Sequence, residues 1–464
     1  MGERFPLFGT DGIRGRVPHG PLSAVFLVQL GQAIAEVARK AGILPLVAIG
    51  RDTRRSGPML EAALTAGLLE RGMDVLPLGI LPTPGVAWLT RHFGAGLGVV
   101  ISASHNPYPD NGIKLLAATG FKIADEQEQE IERLVQEVPP LAEGWHQVGR
   151  VVPAPEPPEE AYLNALLSRA GSPSPLQGWH LVVDCAYGAA YRVAPELFRR
   201  LGAHVTALHV EPDGENINRG CGSEHPEALQ EAVRREGAQA GIALDGDGDR
   251  ALLVDEQGNL LDGDRLLFIL ARDLQAAGQL RGNAVVGTVM SNLGLEKALE
   301  GMGVRLERAP VGDRYVAQRM LERDLVLGGE PSGHIVLFGE GGTTGDGLYT
   351  ALKVLTIAAR QKQPLSVVAS GFRPFPQVVV NVPILRRPPL SSVPEIAQAE
   401  ALVKERMAGR GRVLLRYSGT QPLLRVMVEG EDEEEVRWAA GLLAGTAERA
   451  LGTLEPTPSP ETPA

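Results

Sequence analysis

The chain has 464 residues, 44% apolar and 22% charged, with 45 basic against 56 acidic side chains for a formal charge of −11. This globular composition excludes global disorder, and its acidity argues against non-specific nucleic-acid binding, which needs a basic surface. The two cysteines, Cys185 and Cys221, cannot form a disulfide framework and lack metal-ligand spacing, so a reducing, cytoplasmic compartment is expected. No segment reads as a signal peptide or a membrane span. Glu3, Arg4, Asp11 and Arg14 precede any apolar run, and the uncharged stretch 75–90 is broken by Pro77, Pro82 and Pro84.

Short apolar runs then alternate with helical patterns, which predicts an α/β architecture. The first set is LVAIG at 46–50, DVLPLG at 74–79, LGVVIS at 97–102 and IKLLA at 113–117. The second is LVVDC at 181–185, HVTALHV at 204–210, GIAL at 241–244 and ALLVD at 251–255. The third is AVVGTV at 284–289, VRLERA at 304–309, LVLGG at 325–329 and HIVLF at 334–338. In each set a tight polar loop joins the last two strands, and the loops read SASHNPYPDNG, DGDGDR and EPSG. One topological position occupied by three polar loops predicts three tandem α/β domains of similar topology, each lending a loop to a shared cleft. After GFRPFP comes a strand, a helix, two strands and a helix, read as a smaller C-terminal α+β domain. The expected boundaries are 1–155, 156–257, 258–371 and 372–453. PAPEPPEE at 153–160 would be a linker, and the Pro/Thr-rich residues 454–464 a disordered tail.

The loops carry the chemistry. Ser104 follows an apolar strand among small polar residues, beside His105 and without the G-x-S-x-G elbow of a serine hydrolase. Asp245, Asp247 and Asp249 alternate with glycines, so their carboxylates face one way in an extended segment. Crowded carboxylates repel unless a hard cation lies between them, and close oxygen ligands suit Mg²⁺. Glu256 falls at position 12 of an EF-hand register, but Arg250 stands where that loop requires glycine and the flanks are strands, so an EF-hand is rejected. Glu330, Ser332 and His334 offer hydrogen-bonding groups for hydroxyls on a Gly-rich turn. Arg416, Ser418, Gly419, Thr420 and Arg425 form a donor cluster suited to a phosphate. FGTDGIRG at 8–15 places Arg14 in a Gly-rich turn, and GRDTRRSG at 50–57 adds Arg51, Arg54 and Arg55, either of which reads equally well as a solvated turn.

Together, ISASHNP, DGDGDR, GE-x-SGH and R-x-SGT in this order resemble the α-D-phosphohexomutase superfamily, from Phe8 to Gly430. FGTDGIRG, SHNPYPDNGIKLL, TVMSNLGLE, VGDRYV, TTGDG and PLLRVMVEG resemble its bacterial branch acting on glucosamine phosphates, with Pro331 where that branch usually has Gln and Gln421 where it has Glu. The resemblance implies four domains around a central cleft and a phosphoserine at Ser104. The implied reaction interconverts glucosamine 6-phosphate and glucosamine 1-phosphate through a glucosamine 1,6-bisphosphate intermediate, feeding UDP-N-acetylglucosamine synthesis. It implies one Mg²⁺ on Asp245, Asp247, Asp249 and the Ser104 phosphate. Arg14, Lys114 and Arg250 would lie near the transferring phosphate, with Lys114 or His334 handling the hydroxyl proton. Glu330 and Ser332 would hold the sugar, and Arg416, Ser418, Gly419, Thr420 and Arg425 the phosphate that is not reacting. The partners implied are a phosphorylated hexosamine and, as in many members of the branch, a second copy in a homodimer; no nucleic acid and no membrane are expected.

Overall fold

The computed structural model describes residues 7–138, 148–338, 342–418 and 422–452. The expected tail, 454–464, lies outside the described residues. The first sheet contains β1 (Ile13–Arg16), β2 (Leu46–Arg51), β3 (Asp74–Ile80), β4 (Leu97–Ile101) and β5 (Asp110–Ala117), in the order β1-β5-β4-β2-β3. Strands β2, β3 and β4 run parallel, and β5 returns antiparallel to β4. The second sheet contains β6 (His180–Asp184), β7 (His204–Leu208), β8 (Ala240–Leu244), β9 (Ala251–Asp255) and β10 (Leu260–Leu261), in the order β10-β9-β8-β6-β7. The third contains β11 (Ala284–Thr288), β12 (Arg305–Ala309), β13 (Leu327–Gly329) and β14 (Ile335–Leu337), in the order β12-β11-β13-β14.

The repeat read from the sequence is therefore present. In each sheet the parallel strands end in one antiparallel return, at β4–β5, β8–β9 and β13–β14. All five residues of β4, β8 and β11 are buried, as expected of strands covered on both faces, and this is why they read as continuous apolar runs.

Three local expectations are corrected. The Gly-rich turn at Arg14 is strand β1, whose Arg14 pairs with Gly112 of β5. The linker at 153–160 already contains the start of helix Pro158–Ser168, because proline at the first helical position lacks only an N–H that would be unsatisfied there anyway. Strand β10 carries the second sheet past Gln257, where the sequence placed its end.

The chain divides into two compact units. Residues 1–290 and 303–370 form one, with all three α/β sheets; residues 291–302 and 371–464 form the other. The second unit contains β15 (Gln377–Pro383), β16 (Gly411–Tyr417) and β17 (Leu423–Gly430), antiparallel in the order β15-β17-β16. Helices Pro394–Arg406 and Glu433–Leu451 complete its fold, and Val382, Leu424, Val426, Val428, Val436 and Leu443 lie in its core.

Candidate active site

Ser104 lies in the loop after β4, in the left-handed region at φ +50°, a conformation uncommon for serine that surrounding contacts must enforce. Those contacts are present. The Ser104 carbonyl accepts from Arg54 Nη2 at 2.9 Å and Asn218 Nδ2 at 2.8 Å. The Asn106 carbonyl accepts from the same two groups at 2.8 and 3.1 Å, and Pro107 O accepts from Arg54 Nη1 at 2.7 Å. Arg54 is fully buried and paired with Asp52, Nε to Oδ2 2.9 Å. Ser102 Oγ donates to Asp52 Oδ2 at 2.5 Å and accepts from Ser104 N at 3.0 Å.

This loop aims the Ser104 hydroxyl at the acidic loop between β8 and β9, where Oγ donates to Asp245 Oδ2 at 2.5 Å. Gly246 permits the approach, since a Cβ there would stand 2.6 Å from Ser104 O. One carboxylate oxygen each from Asp245, Asp247 and Asp249 lies within 4.8 Å of the others, and all three residues are buried. Asp247 Oδ2 accepts from Thr83 Oγ1 at 2.6 Å and from Lys114 Nζ at 2.7 Å, and Lys114 also donates to Asp249 Oδ2 at 3.2 Å.

The electrostatics follow from this packing. Burial and the neighbouring Asp249 and Asp247 charges push the Asp245 carboxyl well above the usual carboxylate range. Burial and Asp249 would raise Asp247 too, but the Lys114 ammonium and the Thr83 hydroxyl outweigh them and hold it low. Asp249 is held well down against burial by Lys114, His334 and Arg250. Asp247 Oδ1 and Asp249 Oδ1 are buried without a hydrogen-bond partner among the described residues. Buried carboxylate oxygens left unsatisfied beside a third carboxylate fit a hard divalent cation.

A cavity of about 140 Å³ opens on the serine, lined by Arg14, Ser104, Lys114, Asp249, Arg250, Glu330 and His334 among others. Arg14 Nη1 donates to Asn106 Oδ1 at 3.2 Å, and its Nη2 meets Asp11 Oδ2 at 3.1 Å. Arg250 N donates to Asp245 Oδ1 at 3.2 Å, while its Nε and the Arg14 Nε have no hydrogen-bond partner among the described residues. Glu330 Oε1 accepts from Gly312 N at 3.0 Å.

His334 is buried, with Nδ1 3.6 Å from Asp249 Oδ1. Burial lowers its pKa, but Asp249, Asp313 and Glu330 raise it to about 9 overall. The Gly345 N–H donates to Nε2 at 3.1 Å, a contact that needs a lone pair there and so competes with the second proton. A cation on the carboxylates would remove much of the charge that favours the second proton.

The sequence-predicted residues thus fall into two groups. Ser104, the three aspartates, Arg14, Lys114, Arg250, Glu330 and His334 come together in the first unit. Ser332 does not line this cavity, and its hydroxyl is buried without a hydrogen-bond partner among the described residues. Neither expected proton carrier stands free: Asp247 and Asp249 keep Lys114 charged despite burial, and both His334 nitrogens face protein groups.

In the second unit, Arg416 of β16 and Arg425 of β17 are direct cross-strand partners. Burial and the Arg425 charge lower the Arg416 pKa. Like charges directly opposite are unfavourable unless an anion lies between them. Ser418 N donates to Leu423 O at 2.9 Å. Gly419 and Thr420 lie outside the described residues.

Sequence reasoning missed Asn218 and Thr83 and left Arg54 as an ordinary turn residue. The GRDTRRSG run was the one available signal, and it could not distinguish the wholly buried Arg54 from the exposed Arg55.

Four family profiles match the chain. Phosphoglucomutase/phosphomannomutase alpha/beta/alpha domain I matches residues 6–140, domain II 160–258, domain III 262–375 and the C-terminal domain 379–441. The chain is 51% identical over 442 residues to the phosphoglucosamine mutase of Symbiobacterium thermophilum, covering 94% of this chain and 98% of that one. It is 50% identical over 449 residues to the phosphoglucosamine mutase of Moorella thermoacetica, covering 96% and 99%. Among solved structures, a phosphoglucomutase/phosphomannomutase family protein from Burkholderia thailandensis superposes with a TM-score of 0.80 at 25% identity, covering 96% and 97%. The N-acetylphosphoglucosamine mutase of Aspergillus fumigatus, in complex with GlcNAc-6P and magnesium, shares the fold with a TM-score of 0.65 at 18% identity, covering 96% and 95%.

Proposed function

The chain belongs to the phosphoglucomutase/phosphomannomutase family, and from that premise we propose that it interconverts glucosamine 6-phosphate and glucosamine 1-phosphate through a phosphoserine at Ser104. The observation that carries this reading is the Ser104 hydroxyl 2.5 Å from Asp245, beside three carboxylates and a cavity walled by Arg14, Lys114 and Arg250. The amino sugar is supported by relatives at about half identity that bear the name phosphoglucosamine mutase.

The phosphoryl group on Ser104 Oγ passes to the free hydroxyl of the sugar phosphate. The Oγ–P bond breaks as the sugar O–P bond forms, and the proton of the sugar hydroxyl ends on the leaving Ser104 Oγ, giving the 1,6-bisphosphate and a free serine. The bisphosphate turns round, and its other phosphoryl group returns to Ser104. A loose phosphoryl transition state asks mainly for positioning and charge neutralisation, so a strong base is not required. That suits a site in which Lys114 keeps its proton. Arg14, Lys114 and Arg250 carry the charge of the transferring group, and Glu330, which lines the cavity, holds sugar hydroxyls. We assign phosphate binding in the second unit to Arg416, Ser418, Gly419, Thr420 and Arg425. One Mg²⁺ per chain fits Asp245, Asp247 and Asp249, with the phosphoserine as further ligand, and when bound it neutralises charge at the phosphoserine oxygens. Among the described residues no helix is long and apolar enough to cross a membrane; the cysteine usage favours the cytoplasm.

The test is a coupled assay on glucosamine, glucose and mannose 6-phosphates with a trace of the matching bisphosphate. Glucosamine 6-phosphate should give the highest kcat/KM. A higher value for glucose or mannose phosphate would overturn the sugar while leaving the mutase.

A further inference from the structure

A second cluster of metal-capable side chains lies in the sheet that carries the acidic loop, at the carboxyl ends of its parallel strands. Asp184 ends β6 and is fully buried. Its Oδ1 accepts from Ala186 N and its Oδ2 from Gly222 N, each at 2.9 Å, which leaves Oδ2 a further lone pair. His209 follows β7, and Cys221 lies buried before the short turn Gly222–Glu224. One ligand atom from each of Asp184, His209 and Cys221 lies within 4.8 Å of the others.

His209 Nδ1 stands 2.9 Å from Asp184 Oδ1, and this carboxylate raises the His209 pKa; as a neutral imidazole with its proton on Nε2, the ring would turn the Nδ1 lone pair toward the cluster. The surrounding backbone is also held in unusual conformations, with Ala186, Tyr187 and His209 at φ +51°, +52° and +53°. Left-handed tyrosine is strained and persists only where the surroundings fix it. Here the fixing bonds are Tyr187 N to His209 O at 2.8 Å, Cys185 N to Leu208 O at 3.1 Å and Asn218 N to Ala186 O at 2.9 Å. The Tyr187 ring meets the His209 imidazole edge-on at 5.0 Å, so the ring is oriented as well.

We propose that Asp184, His209 and Cys221 form a second cation site, selective for a zinc-class transition metal. A thiolate, an imidazole and a carboxylate are the donor set of Zn²⁺ or Co²⁺, whereas the all-oxygen acidic triad suits Mg²⁺. Three protein ligands leave a fourth position for water. The His209 side chain is 22% exposed while Asp184 and Cys221 are closed off, which gives the ion an entry path. Binding replaces the Cys221 S–H proton by the metal and releases that proton to solvent. The three ligands are far apart in sequence, so no cysteine spacing signals the site. Its role is to brace the acidic loop: a Cβ at Gly222 would be 2.4 Å from Leu244 O, the residue that leads into Asp245.

The experiment titrates Co²⁺ into the full-length enzyme at saturating Mg²⁺ and reads thiolate-to-cobalt charge-transfer absorption, with Zn²⁺ as competitor. The wild type should develop the band, lose it to Zn²⁺ and gain thermal stability with either metal. Cys221→Ser should abolish the band and weaken binding at least about tenfold, and His209→Asn should weaken it by a similar or larger factor. Cys185→Ser and Asp247→Asn should keep the band, which separates this site from the other thiol and from the acidic triad. Absence of the band in the wild type, or its survival in Cys221→Ser, overturns the proposal. Should Cys221→Ser not fold, His209→Asn, altered on a partly exposed side chain, decides it alone.

Discussion

The 245–249 loop and the 102–109 loop meet at a hydrogen bond from Ser104 to Asp245, but they are held in different ways. The acidic loop carries its chemistry in its own sequence, three aspartates at alternate positions on a short return between strands. The serine loop takes its shape from elsewhere. Arg54 reaches it from 50 positions upstream and Asn218 from 114 downstream, each gripping the same two carbonyls. A locally encoded loop should lose function chiefly when its own residues change. A remotely encoded loop should fail when residues that touch no reacting atom change.

The largest effect expected is at the serine itself. Ser104→Ala should lower mutase turnover by about 10⁴-fold or more while sugar-phosphate binding, read by calorimetry, persists. Next is the buried support. Arg54→Ala leaves Asp52 buried without its partner and should cost about 3–5 kcal/mol in denaturant unfolding. Arg54→Lys restores the charge but not the fork, so it should recover stability more than turnover. An Arg54→Ala variant with unchanged stability would break the comparison.

Asn218→Ala sharpens it, because the lost contacts are neutral hydrogen bonds. Turnover should fall about 10- to 100-fold through misplacement of the serine, with KM little changed and stability lower by only about 1–2 kcal/mol. A loss of stability without loss of turnover would make Asn218 merely structural.

A smaller effect is expected at Asp313, which lines the same cavity and whose Oδ1 meets Lys122 Nζ at 2.8 Å. Burial would raise the Asp313 pKa, but Lys122 and His334 bring it down to about 2. Its folded value is depressed, so its contribution is present above the ordinary carboxylate value of 3.8 and is lost as pH falls through about 2. Asp313→Asn should therefore cost up to about 2 kcal/mol near neutral pH and flatten the acid limb of the unfolding curve between about pH 4 and 2.

The smallest effect is at Pro331, whose ring fixes φ in the turn between β13 and β14 and whose carbonyl accepts from Gly263 N at 2.9 Å. Pro331→Gln should raise the preference for glucosamine over glucose phosphate by a few-fold at most. An unchanged ratio would remove the loop from the account of specificity.

Those differences also explain what could be read in advance. The paired final strands of each sheet were legible because buried strands in a covered sheet are unbroken apolar runs, as in LGVVI of β4 and ALLVD of β9. Asp245, Asp247 and Asp249 were legible because alternation is a local property. Strand β1 was not, since IRGR is four residues long and mostly polar or glycine. The place of Lys114 between carboxylates 133 and 135 positions away is a tertiary fact. So is the burial of Arg54, because nothing in a run of arginines says which one the fold will enclose.

The central claim, that the hydroxyl Arg54 and Asn218 hold against Asp245 carries the phosphoryl group, is tested most directly by phosphopeptide mapping. Dephosphorylated enzyme is incubated with Mg²⁺ and a hexose 1,6-bisphosphate, digested, and the phosphate located by tandem mass spectrometry. A single phosphate on Ser104, removed again by excess sugar monophosphate, is the predicted result. A phosphate on another residue, or full mutase turnover with Ser104 unmodified throughout, would contradict it.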